Sequence, residues 1–124
     1  FHCPLSDETR GMINSDFFGQ LKNGSILVNT ARGGLLESFD DLEQALRENR
    51  IYAAGLDVLP QEPPGNHPLI EAWRNREDWL EGRLWIKPHL AFFSNQAWYE
   101  MRYKAAETVK LFFEHGILRN QITE

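Results

Sequence analysis

Ser25-Ile26-Leu27-Val28-Asn29-Thr30, then Ser38-Phe39-Asp40-Asp41-Leu42-Glu43-Gln44-Ala45-Leu46, then Ile51-Tyr52-Ala53-Ala54-Gly55-Leu56-Asp57-Val58: these three stretches decide the fold. The first is a short apolar run without alternation, as expected of a strand covered on both faces. In the second, Ser38 and Asp41 make an approximate capping box, and Phe39, Leu42, Ala45 and Leu46 recur at helical spacing. The third is again a short apolar run. Strand, helix, strand at these lengths predicts a parallel βαβ unit with a right-handed crossover. Working outward, Arg83-Leu-Trp-Ile-Lys-Pro88 reads as a further strand, and Phe1-His2-Cys3 as the end of a buried one stopped by Pro4. Asn14 or Ser15 can cap a short helix with Phe17, Phe18 and Leu21 on one face, and Gly24 suits its C-terminal end. The last element is the clearest: Trp98, Met101, Arg102, Ala105, Val109, Phe112 and Phe113 follow a helical period, with Ser94 as cap and Gly116 as stop.

The bulk properties bound what such a chain can do. Its 124 residues suffice for one modest domain, and 42% apolar with 25% charged residues is ordinary for a soluble globular chain. No run is long and apolar enough to span a bilayer, and the start carries no secretory pattern. A net charge of −5 argues against direct nucleic-acid binding, which needs clustered Lys and Arg. One cysteine, Cys3, excludes an internal disulfide and fits a reducing, cytoplasmic setting. It reads as a packing residue. His2 and His67 have no partners at metal-ligand spacing, so no metal site is expected.

In a parallel sheet, chemistry gathers at the carboxyl ends of the strands. That rule picks out His2-Cys3-Pro4, Thr30-Ala31-Arg32, Asp57 and Pro88-His89. Arg32 is followed by Gly33-Gly34, so the backbone can turn sharply and present a guanidinium whose fork grips a carboxylate; alone, it reads as an ordinary loop arginine. His89 alone is a hydrogen-bonded structural histidine, and Glu62, before Pro63-Pro64, a solvated loop residue. Together they change meaning: a carboxylate beside an imidazole fixes the ring and favours imidazolium, giving an acid that donates near neutral pH. Asp57 reads either as a turn cap or as a polar anchor for a cofactor's amide. The four tryptophans read as packing residues.

Six segments in order, His-Cys-Pro-Leu (2–5), Thr-Arg-Gly-Met-Ile-Asn (9–14), Val-Asn-Thr-Ala-Arg-Gly-Gly (28–34), Ala-Gly-Leu-Asp-Val (54–58), Gln-Glu-Pro-Pro (61–64) and Lys-Pro-His (87–89), resemble the D-isomer-specific 2-hydroxyacid dehydrogenases. The resemblance implies the C-terminal half of a doubly wound parallel, Rossmann-type sheet over residues 1–93, and a long helix over 94–124 that returns toward a substrate domain. It implies NAD as cofactor and a 2-keto or D-2-hydroxy acid as substrate, in a protein that is dimeric when complete. Arg32 would clamp the substrate carboxylate, His89 would act as acid/base and Glu62 as its partner. Cys3, Pro4, Thr9, Thr30, Ala31, Arg32, Asp57, His89 and Phe92 would line the NAD site. The tail Pro-His-Leu-Ala-Phe-Phe-Ser-Asn-Gln-Ala (88–97) looks most like the C-terminal-binding-protein branch, which includes nuclear corepressors.

Three departures carry expectations of their own. Lys87 stands where Thr is common before Pro-His. Phe92 adds an aromatic wall three residues past the acid/base, which predicts a preference for 2-keto acids with bulky apolar side chains. The segment from Pro63 to Lys87 is long, and Trp73-Arg-Asn-Arg-Glu-Asp-Trp79 suggests an extra helix. No Gly-x-Gly-x-x-Gly occurs, so the chain lacks a pyrophosphate-binding turn. It is expected to be part of a longer protein, to expose an apolar edge and part of a bare face alone, and to bind NAD poorly by itself.

Overall fold

A computed structural model of the chain describes residues 1–121. Helix α1 (Ser15–Gln20) leads into strand β1 (Ser25–Asn29); a short 3₁₀ turn (Gly33–Leu35) and helix α2 (Phe39–Arg47) lead into strand β2 (Ile51–Leu56). Helix α3 (Pro68–Arg74), strand β3 (Leu84–Ile86) and the long helix α4 (Asn95–His115) complete the order. The strands form one parallel sheet ordered β1-β2-β3, with Val28 beside Gly55 and Gly55 beside Trp85. The predicted α/β architecture, a parallel Rossmann-type sheet followed by a long helix, is what the chain adopts. The structure falls into two compact units, Phe1–Ala91 and a second that opens at Phe92.

Local chemistry explains the element boundaries. Asn14 is the residue that caps α1, its Oδ1 accepting from Phe17 N at 3.0 Å. Gly24 does not close that helix, which ends at Gln20 with Leu21 as its C-cap; its φ of +83° turns the chain into β1. Ser38 caps α2 by accepting from Asp41 N at 3.1 Å, while its hydroxyl donates to the Asp41 carboxylate at 2.8 Å, so the pair is reciprocal through side chains. Ser94 caps α4 and Gly116 stops it in the left-handed region, φ +66°. The expected helix around Trp73–Trp79 lies elsewhere. Pro68 sits where its missing N–H costs nothing, His67 Nδ1 accepts from Leu69 N, and α3 ends at Arg74, before Arg76 turns left-handed.

Burial in the first unit is one-sided. Phe18 of α1, Leu42, Ala45 and Leu46 of α2, and Leu69 and Ala72 of α3 share one core with Leu27, Ala54, Leu56 and Leu84 of the sheet. The opposite face is bare: Ile26 is 65% and Trp85 60% exposed, and Val28 and Tyr52 are exposed beside them. The expectation that β1 is covered on both faces is therefore not met in this chain, because α1, α2 and α3 all feed the same core. Phe1–Cys3 does not form the expected strand. Phe1 N donates to Val28 O at 2.6 Å and its ring meets Phe17 edge-on, so the segment runs beside β1 without building a ladder.

The tryptophans divide. Trp73 and Trp79 pack against the core, and the Arg47 guanidinium lies 3.9 Å from the Trp79 ring centre; Trp85 and Trp98 are exposed. In the second unit, Arg102 lies 3.2 Å from the Trp98 ring centre, and no residue of α4 is buried. Among the described residues, no helix is long and apolar enough to cross a membrane, and no group of three potential metal ligands occurs.

Arg83 fastens the far edge of the first unit. Its guanidinium donates to Tyr52 O (2.9 Å), Trp79 O (3.1 Å), Leu46 O (2.8 Å) and Ile51 O (3.2 Å). It thus joins the end of α2, the start of β2 and the approach to β3. Each hydrogen bond from a charged donor contributes about 1.5–3 kcal/mol, but they share one side chain and are not additive. Arg83→Met is expected to destabilise by roughly 2–4 kcal/mol, a fall in Tm of about 2–4 °C per kcal/mol in the larger, complete domain. Arg83→Lys should recover little, since an ammonium cannot span four carbonyls. Thermal denaturation of the complete protein measures both.

Candidate active site

The parallel ladder continues past the strand ends and ties three of them in a row. Asp57 N donates to Asn29 O at 3.0 Å, Lys87 N to Leu56 O at 2.9 Å, and His89 N to Asp57 O at 2.9 Å. Because all three strands run the same way, Thr30-Ala31-Arg32, Asp57 and Pro88-His89 come to one rim of the sheet. Phe1 at Val28 O brings Cys3 and Pro4 toward the same end of β1.

At the end of β1, Asn29 organises the turn that carries Arg32. Its side chain is 1% exposed, accepts from Ala31 N at 3.0 Å and donates to Arg32 O at 3.0 Å. Its signal in the sequence is slight: an amide at the end of an otherwise apolar strand, where it mimics a backbone turn. Arg32 is exposed, and one guanidinium nitrogen donates to Ala31 O at 2.7 Å. A guanidinium has five N–H donors, so the others remain available. Gly33 matters for a different reason than turn sharpness. A Cβ there would lie 1.8 Å from Leu59 O, so the Arg32 loop packs directly on the backbone that follows β2.

That backbone carries Glu62, which meets His89. Glu62 Oε1 accepts from Leu59 N at 2.8 Å and Oε2 lies 3.0 Å from His89 Nδ1. The Leu59 N–H, first, and the His89 imidazole, second, hold the Glu62 carboxyl below the usual glutamate range; partial burial and the neighbouring Asp57 work the other way. An ionised carboxylate only accepts, so Nδ1 must carry a proton and Nε2 is left to exchange one. The linkage follows from that direction: the Glu62 contribution to stability is complete above the ordinary glutamate value and is lost as pH falls through the lowered folded-state value. Because the Glu62 side chain is 39% exposed, this contribution is small.

The remaining predicted residues are placed as follows. Asp57 is buried and accepts from Leu90 N and Ala91 N, each at 2.8 Å. The Thr9 hydroxyl closes its own turn, accepting from Ser6 N and donating to Pro4 O, both at 2.8 Å. Cys3 Sγ lies 4.0 Å from Met12 Sδ, a packing contact. Thr30 and Ala31 are half-buried in the Asn29 turn. The Lys87 ammonium lies 5.9 Å from the Trp85 ring centre. Phe92 opens the second unit and is 47% exposed. His67 Nδ1 caps α3, and its Nε2 meets Asp40 of α2 at 3.1 Å.

Residues 1–91 match the family model described as "D-isomer specific 2-hydroxyacid dehydrogenase, NAD binding domain". The chain belongs to that family. It is 46% identical over 69 residues to human glyoxylate reductase/hydroxypyruvate reductase, covering 55% of this chain and 21% of that protein. It is 34% identical over 111 residues to glycerate dehydrogenase of Methylorubrum extorquens, covering 90% of this chain and 33% of that one. Among solved structures, a D-lactate dehydrogenase from Aquifex aeolicus complexed with NAD and lactic acid superposes with a TM-score of 0.76 at 25% identity, over 91% of this chain and 36% of that chain. The chain thus spans about a third or less of the curated relatives it matches. NAD is the cofactor of this family, and the rim described above gathers polar groups at the strand ends that can receive part of it. The fit rests on one edge that gathers Thr30, Ala31, Arg32, Asp57 and His89, and it does not extend to the pyrophosphate, for which the sequence has no glycine-rich turn.

Proposed function

We propose that the complete protein interconverts 2-keto acids and D-2-hydroxy acids with NAD(H), and that Arg32, Glu62 and His89 carry the reaction. The observation that supports it most is the Glu62 carboxylate fixed between Leu59 N and His89 Nδ1. An exposed arginine on the same rim supplies the group a substrate carboxylate requires. When bound, the nicotinamide supplies or receives the hydride at C2 of the substrate. The chain's own residues do the rest. Arg32 holds the carboxylate with a planar fork and sets the orientation of C2. His89 donates from Nε2 to the carbonyl oxygen as negative charge develops there, becoming neutral imidazole with its Nδ1 proton retained and hydrogen-bonded to Glu62. In the oxidative direction the neutral Nε2 takes the hydroxyl proton, and Glu62 stabilises the resulting imidazolium. Cys3, Pro4, Thr9, Thr30, Ala31, Asp57 and Phe92 are proposed to surround the cofactor, and the complete protein to be a homodimer.

A second reading is a nucleotide-sensing corepressor of the C-terminal-binding-protein branch, favoured by the tail over residues 88–97. Turnover separates the two. The complete protein with NADH should reduce a panel of 2-keto acids, with bulky apolar side chains preferred over glyoxylate and pyruvate if Phe92 adds a wall to the pocket. NADH binding without turnover of any member favours the corepressor reading. Within the same panel, Arg32→Ala should lower kcat and raise KM together, because the clamp both binds and orients. Arg32→Lys should recover little.

A further inference from the structure

We propose that Asp57 is a positioning residue that holds His89 in its working orientation; this rests on the reading of His89 as the acid/base. Three consecutive backbone N–H groups converge on this one residue. Asp57 O accepts from His89 N at 2.9 Å, Oδ1 from Leu90 N at 2.8 Å and Oδ2 from Ala91 N at 2.8 Å. Asp57 is itself only 7% exposed and is fixed from below by its own N–H on Asn29 O at 3.0 Å. A carboxylate buried in this way is retained only where its oxygens are satisfied, and here each receives a backbone donor.

The need for such a grip is visible in His89. Its φ is +55°, the left-handed region that side chains other than glycine seldom occupy. Successive amides that flank a left-handed residue turn inward and form a concavity for an anion. Asp57 supplies that anion from within the chain, and in doing so fixes the backbone from which the imidazole reaches Glu62, 3.0 Å away. Without the carboxylate, Leu90 N and Ala91 N lose their acceptors and the turn relaxes toward ordinary φ. That would carry Nδ1 away from Glu62.

This role acts on His89 in addition to any contact with the cofactor, and it is measurable separately. In the complete protein, Asp57→Asn keeps the size but turns one acceptor into a donor facing an N–H. With NADH saturating, so that any change in cofactor affinity does not enter, we expect kcat to fall by about 10–100-fold, since a displacement near 1 Å costs up to roughly 10²-fold. In ¹⁵N spectra, the His89 imidazole should pass from a single Nδ1–H tautomer to a mixture. An unchanged kcat, or a loss confined to NADH affinity, would overturn the proposal. His89→Ala in parallel keeps the two readings apart: if it is fully active, the acid/base assignment fails; if it is inactive while Asp57→Asn is normal, only the positioning role fails. Should Asp57→Asn not fold, the wild-type protein decides. Slow hydrogen exchange at both Leu90 and Ala91, with His89 in the Nδ1–H tautomer, supports the role, and fast exchange at either amide removes it.

Discussion

His89→Ala in the complete protein is expected to lower kcat for 2-keto acid reduction by about 10²–10⁴, the usual contribution of a positioned acid/base. The imidazole is half-exposed on the rim, so its removal leaves no buried gap and the fold should be unaffected. A large loss of kcat with an unchanged Tm is therefore the signature to look for. Glu62→Gln should do less damage and leave a different trace. The amide can still accept from Leu59 N, but it presents a donor as readily as an acceptor to Nδ1, so the ring is no longer confined to one tautomer. Because the Glu62 carboxyl is held below the usual glutamate range, the wild-type ion pair survives acidification through that range and breaks only below it. The corresponding fall in kcat should lie on the acid side of the ordinary glutamate value in wild type, and be absent from Glu62→Gln. Steady-state rates across the acid range measure it. Wild-type rates for His89→Ala would remove the assignment of the acid.

What the sequence made legible, and what it hid, separates by range of interaction. β1, β2 and β3 follow from short apolar runs, and α2 and α4 from their serine caps, because these signals are local. The helix before β3 starts earlier than the two tryptophans suggest, because Pro68 at a helix start is the stronger signal. Phe1–Cys3 was expected as a strand from its composition, but a strand needs a ladder, and its single bond to Val28 does not make one. Part of a bare sheet face is expected from the sequence, but which residues line it is not legible, for a related reason. Ile26 and Val28 are as apolar as Leu27, so composition alone cannot say that the helices cover one side only.

The site divides in the same way. Strand ends pointed to Arg32, Asp57 and His89, but Glu62 acquired meaning only by being paired with a histidine 27 positions away. From its place in the sequence, Asp57 fits a turn cap and a cofactor anchor equally. Its carboxylate caps the His89 turn, a contact that depends on residues 33 and 34 positions away. Asn29 and the true reason for Gly33 were not visible, since each depends on which backbone lies opposite.

Gly33→Ala is the sharpest test of that last point. The added Cβ would lie 1.8 Å from Leu59 O, 2.2 Å from Leu59 C and 3.0 Å from Leu59 N. All three are backbone atoms, so no rotamer change relieves the overlap and one of the two loops must move. Overpacking of this kind typically costs about 1–3 kcal/mol, occasionally more. The same displacement reaches the chemistry, because the Leu59 N–H that would shift is the one holding Glu62 Oε1 at 2.8 Å, and Glu62 in turn holds His89. One methyl group, placed on neither the acid nor its partner, should therefore lower Tm and also lower kcat, by up to roughly 10²-fold for a misplacement near 1 Å. Gly19→Ala is the matched control. It lies within α1 with nothing inside 4 Å of the new Cβ, and replacing a helical glycine by alanine should stabilise by about 0.5–1 kcal/mol. If Gly33→Ala keeps both the Tm and the kcat of the wild type, the Arg32 and Glu62 loops are not locked together through Leu59.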